Sequence, residues 1–210
     1  QSVLGVIKAT PLSGTGFTAI ISDPLDKTLT DYQLMKGTLA DPPTLSGNTA
    51  SAFTAMARVS DDGTSYVYAK AYWAGFGNLR GEIGYAVNNT EFPWQTNISL
   101  TWSTELSFRV GVGDDPRTYQ VYSGTKKVTE YTEQLVGGVY LSKMGAANRR
   151  FGAIVRQSGG NSSGTISSVS VTDSGASTVS ASIARMARYN TSAVAFTAPD
   201  TFLSNNFFDD

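Results

Sequence analysis

The sequence predicts an all-β protein, a jelly-roll sandwich of two antiparallel sheets. Three observations predict it. Apolar residues recur at period two in several separate segments, the spacing of strands with one face in a core. Turn chemistry built on Gly, Asp, Asn and Pro returns between these segments, as in sandwiches and barrels. The 210 residues are 40% hydrophobic and only 16% charged, enough for one domain with a sizeable core and far from a disordered composition.

Val3 to Ala9 and Phe17 to Ser22 are short β-branched or apolar runs, separated by Pro11, Gly14 and Gly16. The clusters Asp41-Pro42-Pro43 and Ser46-Gly47-Asn48 mark a loop. In Ala52 to Ser60, Phe53, Ala55, Ala57 and Val59 alternate with Thr54, Met56 and Arg58. Asp61-Asp62-Gly63 then turns the chain into the Tyr-rich run Thr64 to Trp73, the clearest hairpin in the sequence. Asn78 to Asn88 reads as a strand in which Gly81 and Gly84 imply a bulge or a close backbone approach. Phe92-Pro93-Trp94 reads as loop. Glu105 to Val112, Arg117 to Ser123 and Lys126 to Thr132 form a strand series turned at Asp114-Asp115-Pro116 and Ser123-Gly124-Thr125. Arg149 to Arg156 and Gly164 to Asp173 close it. Phe53, Val59, Leu106, Phe108, Val110, Val121, Phe151 and Val155 are expected between the sheets.

Domain organisation follows as a sandwich over residues 1–173 and an extended tail, or a linker to a following domain, over 174–210. The tail carries Val194, Phe196, Phe202, Leu203, Phe207 and Phe208, too apolar for a disordered segment. Pro199 excludes one continuous helix, and Thr191 to Thr197 alternates like an edge strand. Phe196, Phe202, Phe207 and Phe208 are therefore expected to pack, along the chain's own sandwich or, preferably, against a neighbouring subunit or following domain. Gln1 reads as a processed end or as an internal point of a longer polypeptide.

The stretches Leu106-Ser107-Phe108-Arg109-Val110 and Arg117 to Tyr131, with Tyr119-Gln120-Val121-Tyr122-Ser123-Gly124 at its centre, resemble the late strands of concanavalin A-like (laminin G-like) jelly rolls. Gly145 to Ala153, containing Arg149-Arg150-Phe151-Gly152, followed by Thr165 to Asp173, is similar to the ending of minor tail proteins of actinobacterial phages. The resemblance implies a virion surface module, structural or lectin-like toward cell-envelope glycans. It implies other tail proteins and further copies of the chain as partners, and it identifies no binding residue.

Composition limits the chemistry. The chain has no Cys and no His, which removes disulfides, thiolate nucleophiles, Cys-ligated zinc, the Ser-His-Asp triad and the commonest metal ligand. Sixteen basic against seventeen acidic residues give none of the basic excess of a duplex nucleic-acid binder. No apolar run reaches the ~20 residues of a membrane helix. Hydrolysis of a glycan would need paired carboxylates on one face, whereas Glu82, Glu91, Glu105, Glu130 and Glu133 read as scattered. The expectation is no enzyme, no cofactor and no metal. Asp61-Asp62-Gly63 and Asp114-Asp115-Pro116 are read as turns rather than calcium loops. Arg149-Arg150 and Lys126-Lys127 are read as solvated strand ends.

Trp73, Phe76 and Trp94 are the candidate ligand-binding residues, since sugar rings stack on flat aromatic faces. Core or subunit-interface packing is the competing reading of Trp73 and Trp94. Tyr66, Tyr68 and Tyr72 with Lys70 read as one half-wet sheet face. The functional expectation is a phage tail structural protein, located on the virion, whose lectin-like domain contacts host glycans. The alternative is a carbohydrate-binding module of a larger secreted, extracellular protein. A glycan-cleaving enzyme running on carboxylates alone is the third option.

Overall fold

The computed structural model describes residues 2–4, 7–10, 16–23, 25–41, 52–74, 79–101, 105–157, 165–174, 186–191 and 195–196. Among them are fifteen strands and a single 3-10 turn, Ala146–Asn148. In chain order the strands are β1 Ser2–Leu4, β2 Ile7–Thr10, β3 Gly16–Ser22, β4 Gln33–Asp41, β5 Ala52–Val59, β6 Tyr66–Trp73, β7 Leu79–Val87, β8 Thr90–Ser99, β9 Glu105–Val112, β10 Asp115–Ser123, β11 Lys126–Thr132, β12 Arg150–Gln157, β13 Thr165–Asp173, β14 Met186–Thr191 and β15 Ala195–Phe196. They make two antiparallel sheets, as the alternation predicts. One runs β11-β10-β9-β4-β13-β2-β15, with β1 also on β13; the other runs β14-β3-β12-β5-β6-β7-β8.

The layer between the sheets is where the period-two residues meet. Met35, Leu106, Phe108, Val110, Tyr119, Val121, Val169 and Val171 from the first sheet face Phe53, Ala55, Val67, Ala69, Ile83 and Phe151 from the second. The small residues Ala55, Ala69 and Ala71 on the central strands β5 and β6 let the sheets approach. Gly37 does the same at one point: a Cβ there would stand 2.7 Å from the Phe53 ring.

Val59 is the exception to the expected core. It is fully buried, but in a second cluster with Ile21, Met56, Tyr66, Tyr68 and Ile154 on the other face of the seven-stranded sheet. Arg58 causes the switch. Its φ of 49° makes a β-bulge opposite β12, where the register jumps between Arg150 and Gly152, and a bulge moves every later side chain to the opposite face. The Gln33 side chain accepts from the displaced Arg58 amide at 2.7 Å and donates to the Arg149 carbonyl at 2.9 Å. The side chain of Val155 lies outside the described residues.

Two strands escape the sequence reading. Strand β4, with little alternation, lies centrally between β9 and β13. Phe92-Pro93-Trp94, expected as loop, sits in β8. Pro93 is compatible with a strand there because β8 is the edge of its sheet and needs no donor on its outer side. The segment after Asp173 contributes β14 to the edge at β3 and β15 to the edge at β2, so at least this part of the tail's backbone lies on the chain's own sandwich. Phe202, Phe207, Phe208 and the Phe196 side chain lie outside the described residues.

Arg150 is not solvated, contrary to the reading from sequence, while Arg149 is half-buried. Arg150 is 1% exposed; its Nε donates to the Ser22 carbonyl at 2.8 Å and its Nη1 to the Asp61 carbonyl at 2.6 Å. Arg149 pairs with Asp31 at 3.2 Å. Arg150 turns inward because β12 begins beside the end of β3 and the Asp61–Gly63 turn, whose Ser22 and Asp61 carbonyls accept its donors.

Candidate functional site

The outer face of the seven-stranded sheet carries the densest set of functional groups. Tyr66, Tyr68, Lys70 and Tyr72 share this face of β6 because their neighbours Val67, Ala69 and Ala71 point into the core. Lys70 is opposite Thr54 on β5 and Glu82 on β7. Glu91, on β8, is opposite Ala86. The stripe read from sequence is thus one face, with Tyr66 and Tyr68 buried and Lys70 and Tyr72 half-buried.

One ammonium joins two carboxylates that the sequence left apart. Lys70 Nζ lies 2.9 Å from Glu82 Oε1 and 2.6 Å from Glu91 Oε2, and each of the three side chains is about one-seventh exposed. Tyr68 donates to Glu82 at 2.6 Å, Tyr66 to Glu91 at 3.4 Å, and Tyr72 to the Asn97 side-chain carbonyl at 3.3 Å. Lys70 also lies 5.2 Å from the Tyr68 ring centre. Burial, reinforced by the bond to Glu82, pushes the Tyr68 hydroxyl far above the usual tyrosine range. Tyr68 is therefore a fixed donor at all ordinary pH values.

Backbone details make this meeting possible. Asn88 and Asn89 both take positive φ, 51° and 61°, the geometry of a type I′ hairpin that aligns β7 with β8. Register shifts flank Ile83 in that pair. Gly84 leaves the floor open: a Cβ there would lie 2.7 Å from the Tyr68 hydroxyl and 2.8 Å from Pro93 Cα. The close approach read from Gly84 is thus real. The pairing of Glu82 with Glu91 was hidden because it depends on a bulged register across three strands, and only the Asn88-Asn89 turn signals it.

Thr54 adds an independent feature. The residue is fully buried on the same face as Lys70, and among the described residues its hydroxyl has no hydrogen-bond partner. An unmet buried hydroxyl costs about 1–3 kcal/mol.

Trp94 lies on the opposite face of β8, turned into the gap between the two sheets. Its ring is 5.1 Å from Tyr131, 4.9 Å from Tyr119 and 5.5 Å from Tyr85. The ring is half-buried against the core. Phe92 stacks on Tyr85 at 5.2 Å and remains 43% exposed. The Trp73 ring and Phe76 lie outside the described residues.

A second polar cluster ties one end of the sandwich together. The Glu133 carboxylate accepts from Arg117 at 2.9 Å, Ser142 Oγ at 2.6 Å, and the amides of Leu141 and Ser142 at 2.7 and 2.8 Å. Burial alone would raise its pKa, but the Ser142 and Arg117 donors more than offset that and hold it below the usual carboxylate range. Arg58, 1% exposed, donates to the Asp31 carbonyl at 3.0 Å and lies over Tyr119. These bonds brace the scaffold. Asp62 similarly spends its carboxylate within its own turn, on Ser60 and Thr64.

No curated protein is significantly similar in sequence. Among solved structures, sheep galectin-11 in complex with glycerol is similar over 77% of this chain and 99% of that one, at 10% identity and a TM-score of 0.38. Scytalido-glutamic peptidase with a peptide-based transition-state analogue is similar over 78% and 81%, at 11% identity and 0.41. SCP-B, an eqolisin-family peptidase in complex with a tripeptide, is similar over 87% and 82%, at 11% identity and 0.39. Residues 13–190 match the family described as domain of unknown function DUF7257, and the chain belongs to that family.

Proposed function

We propose that the chain is a non-catalytic glycan-binding domain of a phage tail protein, with its binding site on the outer face of the seven-stranded sheet. The observation that carries the binding reading is the Glu82–Lys70–Glu91 bridge with Tyr72 and Asn97 beside it. Sugar hydroxyls both donate and accept, and a rigid face presenting carboxylates, an ammonium, an amide and phenols satisfies them in several directions at once. The site stands on strands rather than loops, so it is organised before the ligand arrives.

Binding rather than cleavage is favoured by the same geometry. A glycosidase uses one carboxyl as proton donor and another as nucleophile or base across the scissile bond. Here a cation occupies the space between the two. The tail assignment is supported by the resemblance of Gly145 to Ala153 and Thr165 to Asp173 to phage minor tail proteins; further virion proteins and copies of the chain are its partners in that reading.

A glycan array followed by calorimetry tests the proposal. Cell-envelope oligosaccharides should bind the full chain without being cleaved, and Tyr72→Ala and Lys70→Met should each weaken binding about tenfold or more. Antibodies to the domain should label phage tails and block adsorption. Absence of any glycan ligand, or binding indifferent to both variants, overturns the site. Release of new reducing ends overturns its non-catalytic character.

A further inference from the structure

Beside the polar bridge, the same face has an apolar hollow that the bridge does not use. It is a cavity of about 60 Å³, lined by Ala19, Ile21, Met56, Tyr66 and Ile154, with Asn89 at its rim. Tyr66 is the shared wall: its ring lines the hollow, and its hydroxyl bonds Glu91. A single water needs about 10–15 Å³ of such space, so the hollow takes a small group of a few heavy atoms, and apolar walls hold water poorly. A single methyl-sized group at the end of a short polar arm fits it.

We propose that this hollow receives the methyl of an N-acetyl group, so that the ligand class is a 2-acetamido sugar whose ring hydroxyls meet the Glu82–Lys70–Glu91 bridge. This inference rests on the glycan-binding reading above and specifies its ligand. The chemistry of the two regions matches the two ends of such a sugar. Hydroxyls meet charged and phenolic groups, the methyl meets Ile21, Met56 and Ile154, and the amide between them passes the exposed Asn89 side chain, which can both donate and accept. Ala19 lines the hollow, so a larger residue there would take up part of its space.

Calorimetric titration of the full chain with methyl glycosides of glucose, glucosamine and N-acetylglucosamine tests this. The acetamido sugar should bind about four-fold or more tighter than the other two, the value of one buried methyl. An N-benzoyl analogue should lose that advantage on the unmodified protein, because its ring exceeds the hollow. Ala19→Val should remove the preference and leave glucose binding unchanged. Equal affinity for all three sugars, or undiminished binding of the N-benzoyl analogue, overturns the acetamido pocket while leaving the glycan site standing. Failure of all three to bind, together with an empty glycan array, overturns both.

Discussion

The hydroxyl of Tyr68 occupies space that any side chain on Gly84 would claim, with 2.7 Å between that oxygen and an ideal Cβ. From there the hydroxyl reaches Glu82 at 2.6 Å, and Glu82 in turn holds Lys70. A missing methyl group in β7 is therefore a condition for the polar bridge on the sheet's outer face. The rest of the face has the same logic, with buried Tyr rings as floor and charged groups set over the gap.

Gly84→Ala is accordingly expected to act in two ways. The added Cβ also meets the Phe92 carbonyl oxygen and Pro93 Cα, backbone atoms that cannot swing aside. Overpacking of this kind costs about 1–3 kcal/mol, to be read from urea unfolding midpoints. Displacement of Tyr68 should also weaken glycan binding more than the stability loss explains. An unfolding midpoint equal to that of the unmodified protein would show that β8 moves away freely.

How much of this was legible depends on how local each feature is. Phe53, Leu106, Phe108, Val110, Val121 and Phe151 were readable as core because each alternates with its neighbours inside one strand. Val59 was not, because its face is set by the bulge at Arg58, and nothing in Ala57-Arg58-Val59 announces a positive φ at an arginine. Trp94 was readable as a notable aromatic; its place against Tyr119 and Tyr131 was not, since it depends on how two sheet edges meet. Arg150 was misread for a related reason. A basic pair at a strand end is usually solvated, and only the fold brings the Ser22 and Asp61 carbonyls to it. Lys70, Glu82 and Glu91 lie in three strands whose pairing includes two register shifts, so their union is a tertiary fact.

Arg150→Met tests whether the buried guanidinium holds the 23–32 segment and the Asp61–Gly63 turn. The change leaves the Ser22 and Asp61 carbonyls without the donors they have now. Ser22 is buried whereas Asp61 is exposed, and a buried group left unpaired costs about 1–3 kcal/mol, so a loss of that order in unfolding free energy is expected. Arg150→Lys should recover little of it, because one ammonium cannot reproduce a planar fork spanning two carbonyls. Full recovery with lysine would mean that charge, and not geometry, is what the site needs.

Acid should destabilise the protein through Glu133. Its pKa is lowered in the folded chain, as is that of Asp31, where burial is opposed by bonds from Arg149 and the Gly145 amide. A carboxyl with a depressed folded-state pKa contributes stability that is present above the unfolded value, about 4.3 for Glu. That contribution is lost as pH falls through the folded value. Unfolding free energy should therefore drop as pH is taken below about 5, with each such group adding at most about 1.4 kcal/mol per pH unit. Glu133→Gln should be less stable at pH 7 and should show a shallower acid limb. An acid limb of unchanged slope in that variant would assign the sensitivity elsewhere.

The segment after Asp173 offers the clearest test of assembly. Met186 to Thr191 pairs residue by residue with Ser22 to Phe17 in β3, and Ala195-Phe196 pairs with Thr10-Ala9 in β2. Each is the last strand on its path through a sheet. Deleting residues 186–210 would leave the outer backbone N–H and C=O groups of β3 without their present partners, and an open edge recruits other chains. The described core between the sheets is supplied by residues 35–171, so the truncated chain should keep its strand-rich circular dichroism and unfold cooperatively. It should also scatter more light than the full chain at the same micromolar concentration, as open edges pair. A truncated protein that stays dispersed and assembles as the full chain does would show that this backbone pairing neither protects the edge nor serves assembly. Loss of the cooperative transition would instead make the segment part of the fold itself, and the boundary at residue 173 would disappear.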